Sequence, residues 1–330
     1  MVINKGIIRL LLVCLLSSLL ACSSKKAPSS ADVAAPEGET AIKAAEFCAD
    51  SAYMYVSKQV DFGPRVPNSA AHRAASKWLA SELQRHGAKV SLQNATLKAF
   101  DGTPLEACNI LGSYNPDAAQ RVILLAHWDC RPWADNDPDE ANHGKPVPGA
   151  NDGASGVGVL LEIARQLGKE APKIGVDILF VDAEDWGTAN IEDSWALGAR
   201  HYVANMPREI ATPQCGVLLD MVGGKNAVFC REYFSQYYQP DLVNALWNMA
   251  DALGYGSSFD NNVGGAITDD HLEFIRVGIP VIDIIETSPD GGFNPRWHTM
   301  ADDMQGIDAA TLGKVGTTVL TWLRSLEVSE

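Results

Sequence analysis

With 330 residues, 46% of them hydrophobic and 20% charged, the chain has the composition of an ordinary globular protein, with room for one large domain or two small ones. Its 26 Lys and Arg stand against 41 Asp and Glu, a net charge of -15 that repels a phosphate backbone and excludes nucleic acid as a partner. The same acidic excess suits substrates that carry a positive amino terminus.

The amino terminus reads as a targeting segment. Lys5 and Arg9 precede an apolar stretch, Leu10 to Leu20, that is too short for a comfortable membrane span, and it ends Leu19-Leu20-Ala21-Cys22. That ending resembles a bacterial lipoprotein signal, which implies that residues 1–21 are removed and that Cys22 becomes the lipidated first residue. Residues 22–45 are then expected to be the lipidated Cys22 and a flexible tether rich in Ser, Ala and Pro, with residues 46–330 forming one domain. Of the seven cysteines, Cys14 leaves with the signal and Cys22 takes the lipid. Cys48, Cys108, Cys130, Cys215 and Cys230 remain, scattered and odd in number, and read as mostly buried thiols with at most one unassigned bridge.

Asp50 to Val60 has helical spacing, broken by Asp61-Phe62-Gly63-Pro64. Ala71, Ala75, Trp78, Leu79 and Leu83 then recur at helical intervals behind the potential caps Asn68 and Ser69, and Gly87 ends the run as a residue just past a helix does. Trp78 belongs to the buried face of that helix. Strands are expected at Lys89 to Ala99, Ala107 to Ser113 and Arg121 to Ala126, the last delivering His127-Trp128-Asp129. The loop from Pro132 to Pro148 carries Asp135-Asn136-Asp137-Pro138-Asp139-Glu140, which lacks the ligand spacing of a calcium loop and reads as a solvated insertion. Gly149 to Gly156 opens a helix bearing Val159, Leu160, Ile163, Ala164 and Leu167, with Asp152 where that helix begins.

Val176 to Val181 is a near-continuous apolar run, the mark of a strand buried on both faces, and soon after it stand Glu184 and Asp185. Desolvating two anions costs several kcal/mol each unless a cation meets them, so a metal or a substrate ammonium is expected there, with a solvated strand end as the plain alternative. Further on, the spacing predicts a helix over Trp195 to Ala204, a short strand from Gly216 to Leu219 ending at Asp220, and another at Ala227 to Cys230. A helix over Leu242 to Leu253, a short helix led by Asp269-Asp270-His271, a buried strand within Gly278 to Ile285 and a closing helix over Ile307 to Leu326 follow. A loop through Phe293 delivers Trp297-His298-Thr299. This alternation gives an α/β fold of three αβα layers, a mixed, mostly parallel twisted sheet flanked by helices. In such sheets the functional crevice lies beyond the carboxyl ends of the strands, where His127, Glu184, Asp185 and Asp220 all fall.

Together, His127, Asp129, Asp152, Glu184, Asp185, Asp220 and His298 are the residue types that bind zinc at a hydrolytic or transfer site, with one carboxylate left for proton work. Singly, a histidine at a strand end is usually a hydrogen-bonding residue and an Asp before a helix is usually a cap. From about Ala52 to the carboxyl terminus the pattern resembles the zinc aminopeptidase superfamily with the phosphorylase/hydrolase-like fold, and within it the animal-type (type II) glutaminyl-peptide cyclotransferases. The pieces that carry the resemblance are His127-Trp128-Asp129, Gly149 to Gly156, Asp182 to Asp185, Leu218 to Met221, Asp269-Asp270-His271 with Phe274 and Gly278-Ile279-Pro280, and Trp297 to Met300 with Asp303.

The resemblance implies that the folded domain is catalytic and converts an N-terminal glutamine of peptides or proteins to pyroglutamate. It makes Asp152, Asp185 and His298 the ligands of one zinc, Glu184 the general base and acid, and Asp269 its hydrogen-bonded helper with Asp220 nearby. His127 and Asp129 are left for a second metal or for outer support. Trp297, Phe293 and, less directly, Trp186 become the aromatic walls of the substrate pocket. Two departures stand out: Asp185 occupies a position where animal cyclases have Glu, and no cysteine pair matches the animal disulfide. A di-zinc aminopeptidase of the same fold, with His127 and Asp220 completing a second site bridged by Asp152, is the rival reading. A lipid-tethered binding protein on an inactive hydrolase fold is a third, though no ligand is missing. The lipid anchor implies a periplasmic enzyme held at a membrane, and Ser23 after Cys22 favours the outer one.

Overall fold

Strands made of valine, isoleucine and leucine need apolar cover on both faces, and the central strand of this protein shows how the chain supplies it. In β3 (Arg121–His127), Val122, Leu124 and Ala126 point into one apolar layer while Ile123 and Leu125 point into another. The structure is a computed structural model that describes residues 42–326. The same division runs through β4 (Gly175–Val181), where Val176, Ile178 and Phe180 face one layer and Leu179 and Val181 the other. The first layer is closed by α1 (Ala49–Val60), α2 (Ala70–Arg85), α3 (Ala154–Lys169), α6 (Pro240–Ala252) and α8 (Ala309–Leu326). The second, smaller layer is closed by α4 (Leu197–Ala204) and α7 (Asp270–Arg276). Each fully buried Leu, Ile or Val adds about 1.5–3 kcal/mol to the drive for this sandwich.

The main sheet has six strands in the order β1-β2-β4-β3-β5-β8, with β1 Lys89–Lys98, β2 Pro104–Tyr114, β5 Cys215–Asp220 and β8 Val281–Ile285. β1 and β2 form an antiparallel hairpin and β2 pairs antiparallel with β4, whereas β4, β3, β5 and β8 run parallel. The expected mixed, mostly parallel αβα sandwich is therefore what the chain forms. From β3 the chain steps to β4 on one side and next to β5 on the other, so the strand order reverses at β3, and a crevice opens where the two connections diverge. Two glycines let helices approach the sheet there. A Cβ on Gly156 of α3 would collide with the Leu219 carbonyl oxygen, and one on Gly198 of α4 would collide with that of Asp182.

Several local expectations are met and others are revised. Ser69 caps α2 by accepting the His72 amide, and Gly87 follows it with φ +87°. β2 starts earlier than Ala107 because it pairs with β1 along its whole length, from Lys98 opposite Pro104. The short strand near Cys230 is β6 (Phe229–Arg231), which pairs outside the main sheet with β7 (Phe259–Val263). Neither β7 nor α5 (Tyr233–Tyr238) is expected from the sequence: Asp-Asn-Asn breaks any apolar alternation in the strand, and six residues are too few for a helical period. α4 begins at Leu197 rather than Trp195, because Ala196 takes a left-handed φ of +55° and turns Trp195 away.

The acidic loop after Pro132 is not simply solvated. Asp137 is buried and accepts the amides of Asp139 and Met300 and the side chain of Asn142, while the Asn136 amide donates to the His298 carbonyl. Asp137 thereby ties the loop to the His298 segment, some 160 positions away in the sequence, which conceals the contact. Cys48, Cys108, Cys130, Cys215 and Cys230 are all free thiols. Cys22 and the rest of the expected signal and tether up to Ala41 lie outside the described residues.

Candidate active site

Three parallel strands deliver the polar groups to one place. His127 is the last residue of β3, Asp220 the last of β5, and Glu184 and Asp185 follow the end of β4 at Val181. Asp152 comes from the glycine-rich turn before α3, and His298 from the loop after β8. Ala183, Met221 and His298 adopt φ of +53°, +48° and +56°, conformations that cost L-residues free energy and persist only where the surroundings impose them. At Ala183 the imposing group is visible. Asp182 accepts the amides of Ala183 (2.8 Å) and Cys108 (2.6 Å), and is itself held 2.8 Å from Nε2 of His72, whose ring stacks on Trp128.

Two sets of potential metal ligands meet at Asp152. In the first, His298 Nε2 lies 3.2 Å from Asp185 Oδ1 and 3.6 Å from Asp152 Oδ2. In the second, His127 Nε2 lies 3.0 Å from Asp152 Oδ1 and 3.2 Å from Asp220 Oδ1. Tetrahedral zinc holds N and O ligands at about 2.0–2.2 Å, which sets the ligand atoms roughly 3.3 Å apart, so both sets fit the ion. The first has a further mark: Asp185 Oδ2 is buried with no hydrogen-bond partner. A buried carboxylate oxygen in that state is satisfied by a cation or by a proton, and the guanidinium beside it, that of Arg131, stands 3.4 Å from the other oxygen, Oδ1.

Around these residues stands a ring of supports. Asp129 accepts the amides of Glu184 (3.1 Å) and Asp185 (3.2 Å) and lies 3.4 Å from His127 Nδ1, so it braces both sets without facing either metal position. Asp302 accepts the amides of Asn151 (2.8 Å) and Asp152 (3.2 Å). Asp135 Oδ1 sits 3.5 Å from His298 Nδ1. Arg131 donates to the Asp185 carbonyl (3.0 Å), the Gly187 carbonyl (3.1 Å) and Asp135 Oδ2 (2.6 Å), with its guanidinium between the rings of Trp133 and Trp195. Arg131, Asp135 and Asp302 were not singled out by sequence, since the contacts that reveal them run between distant segments. The one local hint was an arginine four residues beyond His127.

Burial sets the protonation of the site. It pushes the Glu184 carboxyl well above the usual carboxylate range, and Asp269, Asp185 and Asp270 add to the rise against the opposing His127. Burial likewise lifts Asp220 to about 7, with His127 pulling the other way, and lifts Asp302 to about 7 with help from Asp152. For His298 burial disfavours the cation, but Asp185, Asp135 and Asp152 outweigh it and raise the imidazole to about 9.

Glu184, Asp269 and the first ligand set line a cavity of about 510 Å³ whose aromatic walls are Trp195, Trp297 and Phe293. The rings of Phe293 and Trp297 lie 4.3 Å apart, and Trp297 stacks on His298 at 3.8 Å. Trp186 is not part of the lining. Trp186 packs instead on the small cluster of Ala99, Leu105 and Ala107 and edge-on to Trp133, and Gly187, with no side chain, leaves room for the Trp195 ring. Trp195 takes the wall position. Asp269 spends Oδ1 on the Asp270 amide (2.5 Å), and among the described residues no direct hydrogen bond joins it to Glu184; two carboxyls can bond only when one carries a proton. Asp220 is bonded to His127 rather than to either of them.

A family model described as peptidase family M28 matches residues 109–323. A glutaminyl cyclase of Bacteroides thetaiotaomicron, solved with N-acetylhistamine bound, is 49% identical, with a TM-score of 0.83 and coverage of 86% of this chain and 99% of that one. A structure described as a Zn-dependent exopeptidase of Parabacteroides distasonis is 52% identical over the same shares, also with a TM-score of 0.83. The mouse glutaminyl-peptide cyclotransferase-like protein is 26% identical over 290 residues, 78% of this chain and 71% of its own length. With this match over most of the folded region, the chain belongs to peptidase family M28.

Proposed function

We propose that the chain is a zinc-dependent glutaminyl-peptide cyclotransferase, which closes the N-terminal glutamine of peptides and proteins to pyroglutamate and releases ammonia. One juxtaposition carries this reading: the buried carboxyl of Glu184 lines the same aromatic-walled cavity as the Asp152, Asp185 and His298 ligand set. The likeness to bacterial and animal glutaminyl cyclases supports it. A zinc ion on those three ligands supplies a Lewis acid for the substrate γ-carbonyl. Glu184 accepts a proton from the α-amine as its nitrogen bonds to the γ-carboxamide carbon, then returns it to the departing nitrogen, which leaves as ammonia. A carboxyl with a raised pKa suits both halves of that task near neutral pH. Trp195, Trp297 and Phe293 hold the folded rotamer that five-membered ring closure needs and keep water away from the carbonyl. Asp269 acts on Glu184 through its charge, keeping the neighbouring carboxyl ready to hold a proton.

A second reading has an observation of its own. The His127, Asp152 and Asp220 set has metal-ligand spacing, and two ions sharing Asp152 would make a di-zinc aminopeptidase with Glu184 activating water. We favour one zinc, on Asp152, Asp185 and His298, because of the two sets only this one holds a buried carboxylate oxygen with no hydrogen-bond partner, Asp185 Oδ2. Incubation with a Gln-initiated peptide decides between the readings: loss of about 17 Da marks cyclisation, and a released residue marks a peptidase, according to which nucleophile reaches the carbonyl. Metal counting separates them independently, one ion against two.

Anchoring belongs to the same proposal. The Leu19-Leu20-Ala21-Cys22 sequence supports lipidation at Cys22 and a periplasmic enzyme, Ser23 after it favours the outer membrane, and among the described residues no helix is long and apolar enough to cross a bilayer. Metabolic labelling with a radioactive fatty acid, absent from a Cys22→Ser variant, tests it.

A further inference from the structure

Behind the cavity wall lies a carboxylate that the reaction does not use. Glu232 stands between β6 and α5 and is completely buried. Its oxygens are crowded with donors. Oε1 accepts the amides of Phe234 (2.9 Å) and Ile267 (3.1 Å), while Oε2 accepts the amide of Ser235 (2.6 Å) and lies 3.3 Å from His271 Nε2. The surroundings keep it ionised: burial works against the charge, but His271 and the two amides of α5 hold the carboxyl below its usual range. Capping a six-residue helix does not require a buried ion, since a serine or asparagine would serve. The two contacts beyond the cap explain the choice.

Ile267, Thr268 and Asp269 form one wall of the cavity. Glu232 holds this stretch directly at the Ile267 amide, and its charge faces His271, two residues past Asp269, at 3.3 Å. The Tyr233 amide, donating to the Gly265 carbonyl at 3.0 Å, ties down the approach to it. We infer that Glu232 is a positioning residue that fixes the Ile267 to Asp269 wall against the bound glutaminyl side chain, an inference that rests on the proposed reaction for its kinetic consequence. Asp269 has its own tie to the Asp270 amide, so slackening the wall disturbs substrate fit more than the proton-handling group.

The test pairs a substrate-free measurement with kinetics on the zinc-loaded chain. In Glu232→Gln, amide hydrogen exchange across residues 265–271 accelerates by about tenfold or more at unchanged zinc content, as expected when a local unit loses its anchor. KM for a Gln-initiated peptide rises by about fivefold or more, and kcat falls by a smaller factor, the pattern of lost binding fit. Glu232→Asp, which keeps the charge and the cap but draws back from Ile267, gives the same direction and stands in should the Gln variant not fold. Ser235→Ala removes the hydroxyl that accepts the Asp283 amide (3.0 Å), cutting the tie of α5 to β8 while Glu232 and its amide contacts stay intact, and leaves exchange at 265–271 as in the parent. Unchanged exchange in both Glu232 variants overturns the inference, as does an equal effect from Ser235→Ala or faster exchange with KM unmoved. A parent chain that releases no ammonia overturns the reaction instead, and exchange then decides the positioning by itself.

Discussion

His298 presents Nε2 to Asp185 and Asp152 while its other ring nitrogen, Nδ1, faces Asp135 at 3.5 Å. A carboxylate behind a metal-binding imidazole fixes which nitrogen carries the hydrogen and strengthens the other as a donor. Asp135→Asn keeps the size of that support and removes its charge. Zinc affinity is expected to fall by about 10–100-fold, the usual cost of losing such a partner, as measured by competition with a chromophoric chelator. Unaltered affinity would show that Asp135 serves only to anchor Arg131.

Glu184 and Asp185 are adjacent in sequence but are expected to part company in function. Glu184→Gln preserves shape and abolishes proton transfer, so turnover drops by about a hundredfold or more with zinc still bound. Asp185→Asn should instead release the metal, because Asp185, and not Glu184, stands at ligand spacing with Asp152 and His298. Metal analysis of the two purified variants checks the pair together; zinc lost from the Glu184 variant would make that residue a ligand.

The distinction between what the sequence discloses and what it hides follows the range of the forces involved. Apolar periodicity is local, so Val176 to Val181 and Arg121 to His127 announce strands covered on both sides, and their polar ends announce the crevice. The meeting of His127, Asp185 and Asp220 in that crevice was legible for the same reason, since each stands at or just past a strand end. Asp302 and Asp135 were not, because the site residues they support, Asp152 and His298, lie 150 or more positions away and an Asp in a loop resembles any other. The exchange of Trp186 for Trp195 on the cavity wall turned on backbone conformation at Ala183 and Ala196, alanines with φ above +50° that no propensity foretells.

Thiol chemistry provides an independent check of burial. Cys108 and Cys130 are pushed by burial to about 12, and Cys215 to about 11. Cys48, at the start of α1, is lowered by hydrogen bonding to Ser51. Since the thiolate is the nucleophile, a thiol with a pKa near 12 is about one part in ten thousand reactive at pH 8. Iodoacetamide at that pH should therefore modify Cys48 first among the five, with Cys108 and Cys130 protected until the fold is opened by denaturant. Peptide mapping of partially labelled protein reads the order, and early labelling of Cys130 would contradict the packing beneath the ligand loop.

Far from the site, Arg121 and Asp177 make an ion pair of 2.8 Å with both side chains wholly buried at the start of β3 and β4. Ser113 donates to the same carboxylate oxygen at 2.6 Å, and Arg121 also donates to the Asn115 carbonyl. Breaking such a pair from one side strands the other charge, at a cost of about 3–5 kcal/mol. Arg121→Met should lower unfolding stability in urea by that amount at neutral pH. The loss should shrink as pH falls. Burial already raises the Asp177 carboxyl above its ordinary value, with Arg121 among the groups opposing the rise, so removing the guanidinium raises it further. A carboxyl whose folded pKa exceeds its unfolded one favours the folded state when protonated, and that contribution fades as pH climbs from the unfolded value through the folded one. Acidifying the Arg121→Met variant into that window neutralises the stranded group and narrows its gap from the parent. A stability difference that stays constant from neutral pH down to the ordinary carboxylate range would mean that lost packing, not the unpaired charge, sets the cost.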